Sequence, residues 1–435
     1  MKMLKPLMVV ISIFAGSQAL ANPGVWLDLP VYEYPFNNTT SHGPDYFSMR
    51  QSSAVSTGFL QTMHRGIGGD SKESVGWWRW LLIGGFDYLT STVPVGAGWG
   101  HEEWHRAVMT RREIGSFNSM NTFPWGQGVI AVDHVNDSDL IKLKAEHPAE
   151  MVRLSSAGME AQIYQNMLVE KSHFYRDARS RDTFLLWFNN MNVTSYMLQC
   201  ASTDADKTTD EEMAEEGADM KRRDFTGLDC TAWVYDLFRP DEPYTDRGTH
   251  PSGVGIKRYI KYLDLTSDEQ NFLKLQASLS YLNFVDPFLF GFTDFKAGWG
   301  RWNFKFSHYL TSFGGTVDAN VFLEMHKHKF LVTLHNGMTP KRYFPGMSLQ
   351  WIDAEISHHL FVTLGTTAWM QPKDQRYDAE ESELLLDGNI EVALRTSDAF
   401  EYYVGYETKT PGWKAGNVYL DDNWSVWTGF RLGLF

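Results

Sequence analysis

The last third of the chain alternates apolar and polar residues, and this pattern restricts the folds that the chain can adopt. Between residues 317 and 325, valine, alanine and leucine occupy alternate positions, while Asp318, Asn320 and Glu324 lie between them. The pattern recurs over residues 387–395. A period of two is that of a β-strand whose two faces meet different surroundings. We therefore predict an antiparallel sheet within residues 296–435.

Turn residues divide this region into about eight strands, a number that closes the smallest membrane barrels. Asn336-Gly337 and Pro411-Gly412 are two of these separators, and each is a strong turn signal. The predicted strands cover residues 300–311, 315–327, 329–337, 346–356, 358–370, 381–395, 398–409 and 417–435.

The two faces of these strands favour a transmembrane β-barrel. Strands of roughly 9 to 14 residues, with apolar side chains on one face and charges on the other, are typical of a membrane barrel with a polar interior. Trp299, Trp351 and Trp427 are among the tryptophans near predicted strand ends or outer faces, as in an aromatic girdle. A soluble antiparallel sheet packed against the rest of the chain is the alternative.

The chain also ends on Phe435, after an apolar-alternating segment. In this it resembles bacterial outer-membrane barrel proteins, which commonly end on an aromatic residue read by the barrel-assembly machinery. The resemblance implies outer-membrane lipid and that machinery as partners. Arg431 and Gly433 stand at the alternate positions before Phe435, where this family has apolar residues, so the register of the last strand stays open.

The first 21 residues have the features of a signal peptide. Lys2 and Lys5 precede an apolar run from Leu7 to Phe14, and small residues at Ala19 and Ala21 mark a cleavage site. Export to an oxidising compartment allows the only two cysteines, Cys200 and Cys230, to form a disulfide. Two unrelated free thiols are the alternative.

The net charge of the chain is −14, and no long basic run offsets it. We therefore expect no nucleic-acid partner. The acidic residues concentrate between Cys200 and Cys230, and residues 201–224 are predicted to form a mobile acidic loop.

Residues 22–295 are predicted to form a mainly helical domain. Residues 75–100 are strongly apolar and predict a buried core helix and a turn, and residues 267–281 predict a helix that begins near Ser267. Residues 101–105 read H-E-x-x-H. On a helix, His101 and His105 lie on one face and can bind the same metal ion, with Glu102 beside them.

A metal site that catalyses hydrolysis needs a third protein ligand, and Glu160 is the strongest candidate. It lies in a predicted helix with Ala157, Gly158 and Ala161, whose small side chains allow a close approach to the first helix. With Glu160, the H-E-x-x-H motif resembles the gluzincin zinc metallopeptidases. The resemblance implies Zn²⁺ bound by His101, His105 and Glu160, with Glu102 as the general base that activates a water for peptide hydrolysis.

Other residues compete for these roles. His134 and His147 are rival third ligands, and Tyr164 and His173 are candidate donors to an oxyanion, although their spacing does not single them out. The expected protein is thus α+β: a helical zinc-hydrolase domain, on the periplasmic side or tucked into the barrel mouth, followed by an outer-membrane barrel of about eight strands. A protein or peptide of the cell envelope is its expected substrate. A zinc hydrolase of lipid or envelope substrates, and a non-enzymatic pore or scaffold with a coincidental motif, are the alternatives.

Overall fold

A computed structural model of the chain describes residues 25–38, 46–69, 76–119, 131–176, 181–397 and 399–434. The fold is α+β, as predicted, with a helical part followed by a large antiparallel sheet. The predicted signal peptide, at residues 1–21, and the terminal Phe435 lie outside the described residues. The α-helices are α1 Met49–Gly68, α2 Trp77–Thr90, α3 Ala97–Arg111, α4 Asp137–Glu146, α5 Pro148–Tyr175, α6 Thr183–Cys200, α7 Asp204–Glu215, α8 Asp229–Phe238 and α9 Ser267–Leu279.

The strands of the last third confirm the sequence pattern. All predicted boundaries lie within three residues of the observed ones, except that the last strand begins at Asn423 and not near residue 417. The strands are β1 Val25–Tyr34, β2 Phe117–Ser119, β3 Ala131–Asp133, β4 Phe295–Ala297, β5 Gly300–Leu310, β6 Gly315–Met325, β7 His328–Met338, β8 Tyr343–Ser357, β9 Leu360–Pro372, β10 Ser382–Ser397, β11 Phe400–Lys409 and β12 Asn423–Leu434. Strands β2 and β3 form a separate hairpin beside α3.

The main sheet has ten strands and is open, which corrects the expectation of a closed eight-stranded barrel. Its hydrogen-bonded order is β1-β12-β11-β10-β9-β8-β7-β6-β5-β4. The N-terminal strand β1 joins the C-terminal strand β12, so that Leu29 lies opposite Phe430. The edges at β1 and β4 do not pair with each other. Instead, α1 packs along β1, α5 packs along β5, and the two helices contact one another.

The two faces of this sheet differ as the alternation predicts. On β10, Ile390, Val392 and Leu394 are exposed on the outer face, whereas Asp387 and Ala393 point inwards and are buried. The inner face faces α1 and α5 and is rich in polar side chains. None of the described helices has the length and apolar character needed to cross a bilayer.

Two expectations about the helical part need correction. The acidic segment contains a helix, α7, and is not simply a loop. The negative charges of Asp204 and Asp206 in its first turn stabilise the helix, because they lie at the positive end of the helix dipole. The apolar residues of α2 are not a buried core, since Trp77 and Tyr88 are 76% and 69% exposed. By contrast, α9 confirms the predicted helix at Ser267, with a capping box between Thr266 and Glu269.

A disulfide joins Cys200 to Cys230, which settles the alternative left open by the sequence. It connects the last residue of α6 to the second residue of α8. By chain-entropy reasoning, closing a loop of this length contributes about 3 to 4 kcal/mol to stability. The start of α8 is thereby tied to α6.

A buried cluster of charged side chains connects helices α1, α2 and α5 with the start of α6. His64 of α1 lies between two carboxylates, with Nδ1 at 2.6 Å from Asp182 Oδ1 and Nε2 at 2.6 Å from Asp87 Oδ1. The second Asp182 oxygen contacts His173 Nε2 at 2.8 Å. Asp87 belongs to α2, Asp182 precedes α6, and His173 belongs to α5. Burial opposes the charge on His64, but Asp87 and Asp182 outweigh it and raise its pKa to about 10.

Candidate metal centre

The H-E-x-x-H motif lies in the first half of α3, which packs closely against α5. Gly158 of α5 is the point of closest approach: a Cβ atom there would lie 2.1 Å from His101 Nε2 and 2.4 Å from His105 Nε2. Glycine is therefore required at this position. Gly158, one of the small residues predicted to allow the close approach of the two helices, does so.

Asp229 completes a three-residue group with the two histidines. Its Oδ2 atom lies 3.1 Å from His101 Nε2 and 3.4 Å from His105 Nε2. Within the described part of the chain, this is the group of His, Cys, Asp and Glu side chains whose donor atoms are close enough to share a metal ion, all lying within 4.8 Å of one another. Asp229 is the first residue of α8, next to the disulfide-bonded Cys230.

The hydrogen bonds of the imidazoles leave Nε2 facing Asp229. His105 Nδ1 lies 2.6 Å from the carbonyl oxygen of Leu154, which only accepts hydrogen bonds, so Nδ1 carries the proton. His101 Nδ1 approaches Gln162 Oε1 at 3.4 Å, and Asn192 donates to that same oxygen. Outer partners of this kind orient metal-binding histidines in proteins.

These residues fit a zinc ion. Two ligands at about 2.0 to 2.1 Å from a tetrahedral ion lie about 3.3 Å apart, close to the observed nitrogen–oxygen separations. The donor set of two imidazoles and one carboxylate is that of hydrolytic zinc sites with an open fourth position. The space that a Gly158 side chain would fill adjoins both Nε2 atoms.

Electrostatics in the group depend on burial and on mutual contacts. Burial alone would raise the pKa of Asp229, but His105 and His101 hold it at about 2. Burial likewise opposes the charge of His105, yet Asp229 raises its pKa to about 9. Asp229 is therefore ionised at neutral pH. A bound cation would replace the proton that His105 otherwise holds.

Glu102 is buried beside this group. Burial raises the pKa of its carboxyl well above the ordinary value, and Asp229 and Asp224 add to that effect while His105 opposes it. A carboxylate with a raised pKa accepts protons more readily than an exposed one. The chemistry available is thus proton transfer beside a three-ligand metal site.

Glu160 lies away from the imidazoles. Its Oε1 atom accepts hydrogen bonds from Arg153 Nη2 at 2.9 Å and from the backbone N–H of Gly416 at 3.0 Å. Each residue of an α-helix turns about 100°, so Glu160 points about 200° away from Gly158, whereas Arg153, seven residues earlier, shares its face. Asp229, and not Glu160, lies close to the two imidazoles in the structure.

The other sequence candidates also lie elsewhere. His134 is mostly exposed beside Asp133, and His147 precedes the first residue of α5. His173 belongs to the charged cluster around Asp182. Tyr164 packs against Trp104 and lines a cavity described below.

Sequence reasoning missed Asp229 and Tyr196. The Tyr196 hydroxyl oxygen accepts a hydrogen bond from the Asp229 backbone N–H at 2.9 Å, so α6 positions the start of α8 directly. The sequence feature that could have indicated Asp229 is its position beside Cys230, at the start of a helix that follows Gly227. Comparisons of the chain with protein-family models, with characterised proteins and with solved structures found no match.

Proposed function

We propose that this chain is a zinc-dependent hydrolase of the bacterial cell envelope that cleaves peptide bonds. The observation that carries the proposal is the meeting of His101, His105 and Asp229 around one point, with Glu102 on the same helix as the two histidines. Gly158 also supports the proposal, because the absence of a side chain there leaves space for an ion beside both Nε2 atoms.

Each residue has a distinct part in the proposed reaction. Zinc, when bound in such a site, lowers the pKa of water and polarises a carbonyl group. Glu102 takes the proton from the attacking water and then gives it to the leaving amine. Leu154 and Gln162 hold the imidazoles in the orientation that presents Nε2, and Tyr196 holds Asp229.

The test compares Glu102→Gln with Glu113→Gln in the full-length protein. Glu113 is an exposed acid just beyond the end of α3, so its variant controls for the loss of one carboxylate near this helix. We expect Glu102→Gln to keep one zinc per chain, measured by elemental analysis, and to lose roughly 10³-fold or more in cleavage of fluorogenic peptides. Glu113→Gln keeps both properties. Unchanged peptide cleavage by Glu102→Gln would contradict the mechanism.

We further propose that the outer face of the main sheet contacts outer-membrane lipid. Its exposed Ile390, Val392 and Leu394 support this, since large apolar patches on soluble proteins are rare. In this arrangement the helical part fills the open side of the sheet and faces the periplasm. The substrate is then a peptide of the cell envelope. The barrel-assembly machinery inserts the sheet into the outer membrane.

A further inference from the structure

A cavity of about 370 Å³ lies between the inner face of the main sheet and helices α1 and α5. Its volume falls within the range of about 300 to 1,000 Å³ that is usual for small-molecule sites. His101, His105 and Asp229 are not among its lining residues, so the cavity is separate from the metal centre. Its wall combines apolar side chains such as Trp369 and Met167 with many polar ones.

Three neighbouring strands bring an aspartate, a histidine and a serine together on this wall. Asp318 of β6 lies directly opposite His335 of β7, and Asp318 Oδ2 is 3.0 Å from His335 Nδ1. Gly346 of β8 is opposite His335 on its other side, and Ser348 follows two residues later on the same face. Ser348 Oγ lies 2.7 Å from His335 Nε2.

The contacts of each group specify which atoms carry the protons. A carboxylate beside Nδ1 favours the tautomer with the proton on that nitrogen, although the oxygen lies out of line with the ring N–H in this resting arrangement. Nε2 then accepts the hydrogen bond from the Ser348 hydroxyl. The Thr367 hydroxyl, 2.8 Å from Ser348 Oγ, donates to that oxygen. Catalytic hydrogen bonds are often poorly aligned before substrate binds.

Neighbouring groups hold the aspartate and the histidine in place. Thr316 Oγ1 donates to Asp318 Oδ1 at 2.9 Å. The His335 ring stacks on Trp369, with ring centroids 4.3 Å apart and an angle of 9° between the planes. These contacts restrict the rotation of the imidazole while Ser348 and His335 remain partly exposed to the cavity.

We propose that Ser348, His335 and Asp318 form a second catalytic site, which hydrolyses carboxylic esters with small acyl groups. Ser348 Oγ attacks the ester carbonyl carbon as His335 Nε2 takes the hydroxyl proton, and the same proton is returned to the departing alcohol oxygen. Water then attacks the acyl-serine while His335 takes one of its protons. Returning that proton to Ser348 Oγ releases the carboxylic acid and regenerates the serine. Asp318 acts as a positioning residue for His335.

The cavity also supplies a donor for the oxygen that becomes negative during attack. Gln350 follows Ser348 by two residues on the same face of β8 and lines the cavity. Its Oε1 atom accepts a hydrogen bond from Lys171 Nζ at 2.7 Å, which leaves its NH₂ group as the donor on this wall.

The first test labels the full-length protein in detergent with a fluorophosphonate, which forms a covalent bond to an activated serine with loss of fluoride. Mass spectrometry of the digested protein is expected to find the label on Ser348. This measurement needs no variant and is independent of protein stability. Absence of label on Ser348, or label distributed over exposed serines such as Ser357, would overturn the proposal.

The second test measures hydrolysis of p-nitrophenyl butyrate. Ser348→Ala is expected to lose at least 100-fold in kcat, whereas Ser357→Ala, an exposed serine at the end of the same strand, keeps the activity. Asp318→Asn is expected to lower kcat while KM is retained, which a purely structural role would not produce. Retained activity in Ser348→Ala would overturn the proposal.

The third test separates this site from the metal centre. Treatment with a chelator is expected to abolish peptide cleavage but to leave ester hydrolysis and fluorophosphonate labelling of Ser348 unchanged. Loss of all ester hydrolysis on metal removal would assign that activity to the metal centre and overturn the proposal. The two proposed sites can therefore fail or succeed independently.

Discussion

At the residue scale, the absence of a side chain at Gly158 leaves space in the candidate metal centre. The two Nε2 atoms lie within 2.4 Å of the position that a Cβ would take. An alanine methyl group at this position would occupy the space next to both imidazoles, so an ion and a side chain cannot be accommodated together.

We therefore expect Gly158→Ala to weaken zinc binding at least 100-fold. The two histidines must move apart to admit the methyl group, which also costs about 1 to 3 kcal/mol of stability by overpacking. A competition titration with a chromophoric chelator measures the affinity. Gly66→Ala is the matched control, because Gly66 is an exposed helical glycine and a Cβ added there would have no neighbouring atom within 4 Å. Equal affinities in the two variants would contradict the proposed centre.

Asp229 and Glu160 are both buried acids. The proposed function gives them different roles, so their variants are expected to differ. Asp229→Asn is expected to lose zinc. Glu160→Gln is expected to keep zinc and to lose roughly 3 to 5 kcal/mol of stability, because Arg153 is left as a buried charge without its ionic partner. Zinc content and urea unfolding of both variants measure the two effects. The reverse pattern would restore Glu160 as the ligand.

The proximity of His101 and His105 could be predicted because two histidines four residues apart share a helix face. Glu160 was assigned from the small residues around it, without the helix rotation that separates it from Gly158. A sharper prediction was available, since Arg153 and Glu160 are seven residues apart on one helix and so lie on the same face. Asp229 comes from a different element, and no spacing along the chain encodes its approach.

At the scale of elements, the His64 cluster links α1, α2, α5 and the start of α6. The pKa of His64 is raised from about 6.5 to about 10, so His64 is charged in the folded protein over a range in which it is neutral in the unfolded chain. The stabilisation is complete below about pH 6.5 and disappears as the pH rises towards 10.

We expect the free energy of unfolding to fall between pH 7 and pH 10 more steeply in the natural protein than in His64→Gln. The variant lacks the titrating group, although it is less stable at pH 6 by a few kcal/mol, on the order of the loss for one partner of a buried ion pair. Urea unfolding at several pH values measures both curves. Parallel curves would show that His64 does not carry the charge.

The strands were predictable because alternation is a local property that each segment carries by itself. The pairing of β1 with β12 is not local: residues near both ends of the chain meet, and the alternation of either strand is equally compatible with other neighbours. The number of strands in the sheet and its open edges were missed for this reason. The prediction that α2 is buried was wrong because an apolar composition does not specify which other element, if any, covers a helix.

At the scale of the whole molecule, the outer face of the sheet tests the proposed membrane location. Val392→Arg places a charge on this face, and in a bilayer it is expected to cost about 2 to 4 kcal/mol. Glu380→Arg, in the exposed turn before β10, should be neutral. The stability of each variant refolded into lipid vesicles gives the comparison. If Val392→Arg behaves like the control, the face does not contact lipid.

The pairing of β1 with β12 restricts the order in which the newly synthesised chain can fold. Strand β1 can pair with β12 only after β12 has been synthesised, almost 400 residues later in the sequence. Until then its backbone donors and acceptors are open to incorrect pairing. Contacts over so long a separation also form slowly. A chain that is truncated before β12 therefore leaves β1 without its partner strand.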